Sequence, residues 1–142
     1  MLLDANLLLF AVDAESPFHA SSGDWLTTQL NGSRRVGIPW ASLSAFLRLR
    51  THPRAARNPL SAGEAWGQVH DWLSCDIVWN PVPTEHHADV LGSLISTYRL
   101  TGNLVPDADL AALAIEHGLV VCSADTDFAR FAEIRWLNPL AA

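Results

Sequence analysis

The chain is predicted to be an α/β fold built on a parallel sheet, and three observations predict it. Short apolar runs that read as strands (Leu2-Leu3, Val36-Gly-Ile38, Asp76-Ile-Val-Trp79, Leu119-Val-Val-Cys122 and Ile134-Arg-Trp136) are separated by stretches with helical periodicity. Aspartates stand just beyond the first and fourth of these runs, at the carboxyl ends of strands, where open α/β sheets place their ligands. A length of 142 residues, 49% of them hydrophobic, and a mean hydropathy of +0.14 suit one domain, residues 1–142, with an ample core.

Leu2 and Leu3 are expected as a central strand, with Asn6 to Val12 continuing as a helix. Ser16-Pro17 opens a second helix to about Gln29, with Trp25, Leu26 and Leu30 on its inner side. Asn31-Gly-Ser33 turns the chain into Val36-Gly-Ile38, which Pro39 stops, and Ala41 to Arg50 follows as a helix burying Leu43, Phe46 and Leu47, leaving Arg48 and Arg50 to face outwards. After a proline-interrupted loop from Thr51 to Pro59, Ser61 and Glu64 have capping-box spacing at the head of a helix whose stripe is Ala62, Ala65, Trp66, Val69, Trp72 and Leu73. Thr84-Glu-His-His87 starts another helix through Val90, Leu91, Leu94 and Ile95; the adjacent His86 and His87 point to different sides and read as surface or half-buried residues, not metal ligands. Asp107 is placed to cap an alanine-rich helix that ends at His117-Gly118, and Leu119 to Cys122 is a buried strand. Ile134-Arg-Trp136 closes the sheet.

The acids carry the chemistry. In an α/β unit the start of the helix and the end of the strand lie on one sheet edge, so Asp107 and Asp125 should meet there, joined by Asp4 from the far N-terminus and followed by Asp127. Carboxylates so crowded raise one another's pKa unless a cation neutralises them, and hard oxygen ligands suit magnesium or manganese. Each aspartate also stands where a helix cap belongs, and caps are far commoner than metal sites; three at one edge favour the functional reading.

The net charge of −6 argues against a broad electrostatic nucleic-acid surface. All nine basic residues are arginine, which removes chemistry that needs a lysine; Arg48, Arg50, Arg54 and Arg57, with His52, form the one basic patch. Cys75 and Cys122 lack metal or redox spacing and read as reduced thiols. Without a long apolar segment or a leader pattern, no membrane association is expected and the location is expected to be cytoplasmic.

Met1-Leu-Leu-Asp-Ala-Asn6, Phe46-Leu-Arg48 with Thr51-His-Pro53, Gly102-Asn-Leu-Val-Pro-Asp-Ala108 with Leu110-Ala-Ala-Leu-Ala114, and Asp125-Thr-Asp-Phe128 together resemble PIN-domain ribonucleases, and more narrowly the VapC toxins of VapBC toxin–antitoxin pairs. The resemblance implies a three-layer α/β/α sandwich around a central parallel sheet, magnesium-dependent (or manganese-dependent) endonuclease action on structured RNA of the tRNA or rRNA class, inhibition by a VapB-like antitoxin, and a homodimer. It implies no sequence-specific DNA binding without that antitoxin. Carried over by position, Asp4, Asp107 and Asp125 match the catalytic and metal-binding acids, Asp127 a frequent companion, and Asn6 a residue holding metal-site waters. Arg48, Arg50, His52 and Arg54 are the candidates for holding RNA. Where the family usually carries a glutamate this chain has Ala45; Asp109 is a candidate to compensate, and the alternative is a weakly catalytic module that binds RNA or antitoxin.

Overall fold

Leu2 and Leu3 divide the molecule, because successive side chains of a strand point to opposite faces. The structure, a computed structural model, describes residues 1–141. In it β1 (Leu2–Leu3) is the centre of a five-stranded sheet of order β3-β2-β1-β4-β5, with β2 at Val36–Gly37, β3 at Val78–Trp79, β4 at Val120–Cys122 and β5 at Arg135–Leu137. Every pairing is parallel. The helices are α1 (Ala5–Val12), α2 (His19–Leu30), α3 (Trp40–Thr51), α4 (Ala62–Leu73), α5 (His87–Tyr98) and α6 (Leu104–His117), with a 3-10 turn at Thr126–Arg130. Leu2 and Val121 pack under α5 and α6, whereas Leu3 and Cys122 pack with Leu7, Leu26, Phe46 and Trp72 of the α1–α4 layer. This is the expected three-layer α/β/α sandwich, its strands' carboxyl ends gathered along one edge.

Several element boundaries move: α5 starts at His87 and β3 at Val78, later than expected, and the starts of α2, α6 and β5 shift as well. α2 starts at His19, because the Ser16 hydroxyl accepts the Phe18 amide at 3.1 Å and holds Ser16-Pro17 in a turn. α6 starts at Leu104 with Asn103 as cap, which puts Asp107 inside the first turn and not at the cap; Pro106 is tolerated there because that turn's amides have no helical acceptor. β5 pairs from Arg135, one residue after the expected start.

The Ser61–Glu64 capping box is formed in both directions, at 3.1 and 3.0 Å. Ala65, Val69 and Trp72 of α4 are buried, but Ala62 and Trp66 are exposed, so the inner stripe is narrower than its spacing predicted. Arg50 corrects the outward reading of the basic patch: it is 3% exposed, and its guanidinium donates to the Asn58 carbonyl at 3.1 Å, pinning the Pro53–Pro59 loop against α3. The arginine's stem is carried inward by the apolar face of α3 on which Phe46 also lies. Arg48, His52, Arg54 and Arg57 stay exposed.

Gly37 sits where β1, β2 and the segment after β3 converge. A Cβ there would lie 2.9 Å from both the Met1 carbonyl oxygen and Pro81 Cγ. Gly37→Ala should therefore destabilise the protein by about 1–3 kcal/mol through forced backbone displacement, read as a lower denaturation midpoint at unchanged slope.

Candidate metal centre

β1 and β4 end side by side, and this sets the site. The Asp4 amide donates to the Cys122 carbonyl at 3.0 Å, so Asp4 and Ser123 leave the sheet together. Asp4 caps α1, its Oδ1 accepting the Ala5 amide at 2.8 Å, while Oδ2 accepts the Ser123 hydroxyl at 2.7 Å and Asn6 Nδ2 at 3.3 Å. The same Ser123 oxygen accepts Asn6 Nδ2 at 3.0 Å and the Asp125 amide at 3.0 Å, and Asn6 Oδ1 accepts the Ala124 amide at 3.3 Å. One buried hydroxyl thus orients two of the acids.

Asp125 begins the 3-10 turn, its Oδ1 accepting the Asp127 amide at 2.8 Å, and Arg130 holds the Asp127 carboxylate at 3.2 Å. From above, the first turn of α6 brings in Asp107. One carboxylate oxygen each from Asp107, Asp125 and Asp127 lie within 4.8 Å of one another. Two oxygens facing each other across a magnesium ion are about 4.2 Å apart, so small side-chain rotations would let these three share one ion. The donor set is all carboxylate, with no imidazole or thiolate, which suits a hard cation over zinc. Asp4, expected to share the ion with Asp107 and Asp125, is not one of these three; its carboxylate is bound to Ser123 and Asn6.

The Asp107 carboxyl feels the charge of the other three acids. Burial, then Asp125, Asp4 and Asp127, push the Asp107 carboxyl up to about 6, with Arg130 opposing. Asp4 is also raised, first by its burial and further by Asp125, while its hydrogen bonds from Ser123 and Ala5 pull the other way.

Asp109 does not join them. Two residues along a helix turn the side chain through about 200°, to the far side of α6. There Asp109 Oδ1 accepts from His87 Nε2 at 2.7 Å, and His87 Nδ1 donates to Glu116, which also accepts the Thr84 amide and hydroxyl at 2.8 and 2.7 Å. Burial lowers the His87 pKa, but the bonds to Glu116 and Asp109 outweigh it and leave the pKa raised. Neither Ser123 nor this histidine–carboxylate chain was singled out from the sequence. Ser123 carried one legible signal, a small polar residue between a buried strand and Asp125; the His87 partners are 22 and 29 residues away and carried none.

Ala45 is half-buried, one helical turn beyond Ser42, whose hydroxyl donates to the Leu3 carbonyl at 2.7 Å. Residues three apart share a helix face, so position 45 faces the same way as Ser42, towards the end of β1.

The profile of the PIN domain family matches residues 1–134. Ribonuclease VapC37 of Mycobacterium tuberculosis is 43% identical over 140 residues, covering 99% of this chain and 97% of its own length, and ribonuclease VapC33 of the same species is 36% identical over 137 residues, covering 96% of each. Among solved structures, VapBC2 of Rickettsia felis bound to a promoter DNA fragment superposes with a TM-score of 0.69 at 14% identity, covering 96% of each chain. VapC20 of Mycobacterium tuberculosis, a sarcin-ricin loop cleaving toxin, superposes at 0.66 and 17% identity, covering 94% of this chain and 98% of its own. The parallel sheet, the gathered acids and a family match across nearly the whole length lead to one conclusion: the chain belongs to the PIN-domain family, among the VapC ribonucleases of VapBC toxin–antitoxin systems.

Proposed function

We propose that the protein is a magnesium- or manganese-dependent endoribonuclease toxin that cuts structured RNA in the cytoplasm and is silenced by a VapB-like antitoxin. The observation that carries this reading is the crowding of Asp107 against Asp125, Asp4 and Asp127, which a divalent cation would relieve. Asp107, Asp125 and Asp127 would hold the ion directly, with Asp4 reaching it directly or through an ordered water. Bound there, the ion would orient a water, lower its pKa and offset charge developing on the scissile phosphate. The chain's own residues then have defined tasks. Ser123 and Asn6 keep Asp4 and the Asp125 backbone in register, Arg130 restrains Asp127, and Arg48, His52 and Arg54 hold the RNA backbone on the exposed end of α3 and its loop. Arg50 is too buried to take part in that contact. A VapC relative is a sarcin-ricin loop cleaving toxin, which supports an rRNA or tRNA loop as substrate, since single-stranded loops are where RNA sequence can be read.

Ala45 favours a second reading, a weakly catalytic domain that binds RNA or antitoxin. The two separate by cleavage of structured RNAs in magnesium or manganese. The ribonuclease reading expects cleavage that Asp107→Asn and Asp125→Asn lower by about two orders of magnitude or more, and that Ala45→Glu raises while tightening manganese binding about tenfold. RNA binding without cleavage in the parent, with cleavage appearing only in Ala45→Glu, would establish the second reading.

Linkage gives a test without RNA. The folded pKa of Asp107 is about 6 against 3.8 for the free side chain, so the folded state binds more protons. That contribution to stability is fully present below 3.8 and is lost as pH rises through about 6. In chelator, Asp107→Asn should therefore melt higher than the parent at neutral and alkaline pH and gain nothing in acid. Magnesium should raise the parent's melting temperature and leave the variant's nearly unchanged.

Trp66, 50% exposed on α4, supports the proposed homodimer, since a large indole is seldom left in water without a partner. Sedimentation equilibrium should show a dimer that Trp66→Glu shifts to monomer.

A further inference from the structure

On the side of α6 turned away from the acids, the same sheet edge carries a second feature. Pro39 stops β2 and Pro81-Val-Pro83 follows β3, and between them lies a cavity of about 250 Å³ lined by Trp40, Pro81, Val82, Pro83, His87 and Asp109. Trp40, the first residue of α3, is 47% exposed, and Val82 is 57% exposed. The volume falls below that of sites for drug-sized ligands, about 300–1,000 Å³, and suits one flat ring system. Its polar wall is Asp109. His87, fixed by Glu116 on its other nitrogen, occupies Asp109 Oδ1, and Oδ2 has no partner among the described residues although the side chain is 46% exposed.

We infer that this cavity is a nucleobase subsite of the RNA substrate, in which one unstacked base lies on the Trp40 indole and donates N–H hydrogen bonds to Asp109. The inference rests on the ribonuclease reading above and deepens it. An aromatic face paired with a carboxylate is the chemistry of base recognition: stacking accepts any base, and the acceptor then sorts them. A carboxylate favours guanine, whose Watson–Crick edge offers two adjacent N–H donors, one for the open Oδ2 and one for the second lone pair of Oδ1 beside His87, and it repels phosphate, so the backbone is kept out of this cavity. Position agrees with this. Asp107 and Asp109 face opposite sides of one helix about 10 Å wide, so the base would sit a nucleotide or two from the scissile phosphate.

The test is binding of fluorescein-labelled single-stranded RNA oligonucleotides, one guanine-containing and one all-uracil, followed by anisotropy in chelator so that no cleavage occurs. Trp40→Ala should weaken binding of the guanine oligonucleotide about 5- to 150-fold, the range for loss of one stacked base, while Trp40→Phe keeps most of it. Asp109→Asn should narrow the preference for guanine over uracil. Manganese binding, a property of the acid cluster, should be unchanged in Trp40→Ala. Equal affinity of parent and folded Trp40→Ala overturns the subsite, as does a Trp40→Ala protein that binds RNA normally but has lost dimerisation or capture of a VapB-like peptide. If the parent cleaves RNA while Trp40→Ala cleaves and binds it equally well, only the subsite fails. If the parent binds RNA through Trp40 yet never cleaves it with magnesium or manganese, the subsite stands and the ribonuclease reading fails.

Discussion

The hydrogen bond from the Ser123 hydroxyl to Asp4 is the contact on which the acidic edge depends. Four carboxylates at the ends of neighbouring elements would spread apart if left to their mutual repulsion. Ser123 joins the ends of β1 and β4 through a single oxygen that donates to Asp4 and accepts from Asn6 and the Asp125 amide. Because the Ser123 hydroxyl is buried, rearranging the group would leave polar atoms without partners, a penalty that opposes the repulsion. Asp107 remains free of such bonds among the described residues, and burial with its acidic neighbours pushes its pKa up to about 6.

The sheet makes that edge possible with very little material. Strands of two or three residues would not hold together alone, but their side chains alternate between two cores, Leu2 and Val121 in one, Leu3 and Cys122 in the other. Both faces of the sheet are covered, so each residue of β1 contributes to one core or the other. All-parallel pairing then sends every strand's carboxyl end to the same side, and residues as distant in sequence as Asp4 and Ser123 meet without a dedicated connection.

The start of α6 serves two surfaces. Asp107 turns to the acid cluster, and Asp109 turns to His87 and the cavity beside Trp40. A single helix origin thereby fixes the distance between a cluster suited to a cation and a cavity suited to a flat ring. The His87–Glu116 bond ties the start of α5 to α6.

By itself the sequence determined a parallel α/β fold, the order of its strands and helices, the capping box at Ser61 and the placing of Asp4, Asp107 and Asp125 at one edge of the sheet. These follow from apolar periodicity, local capping chemistry and the rule that parallel strands present their carboxyl ends on one edge, all of which are written in neighbouring residues. Only the tertiary structure decided that Ser123 is the hub of the acids, that Asp109 belongs to His87, that Arg50 is buried against Asn58, and that Trp40 borders a cavity. Each of these depends on which side chain from a distant segment arrives within hydrogen-bonding or packing distance. Helical spacing gives the face on which a residue lies; the partner waiting on that face is set by the packing of the other layers.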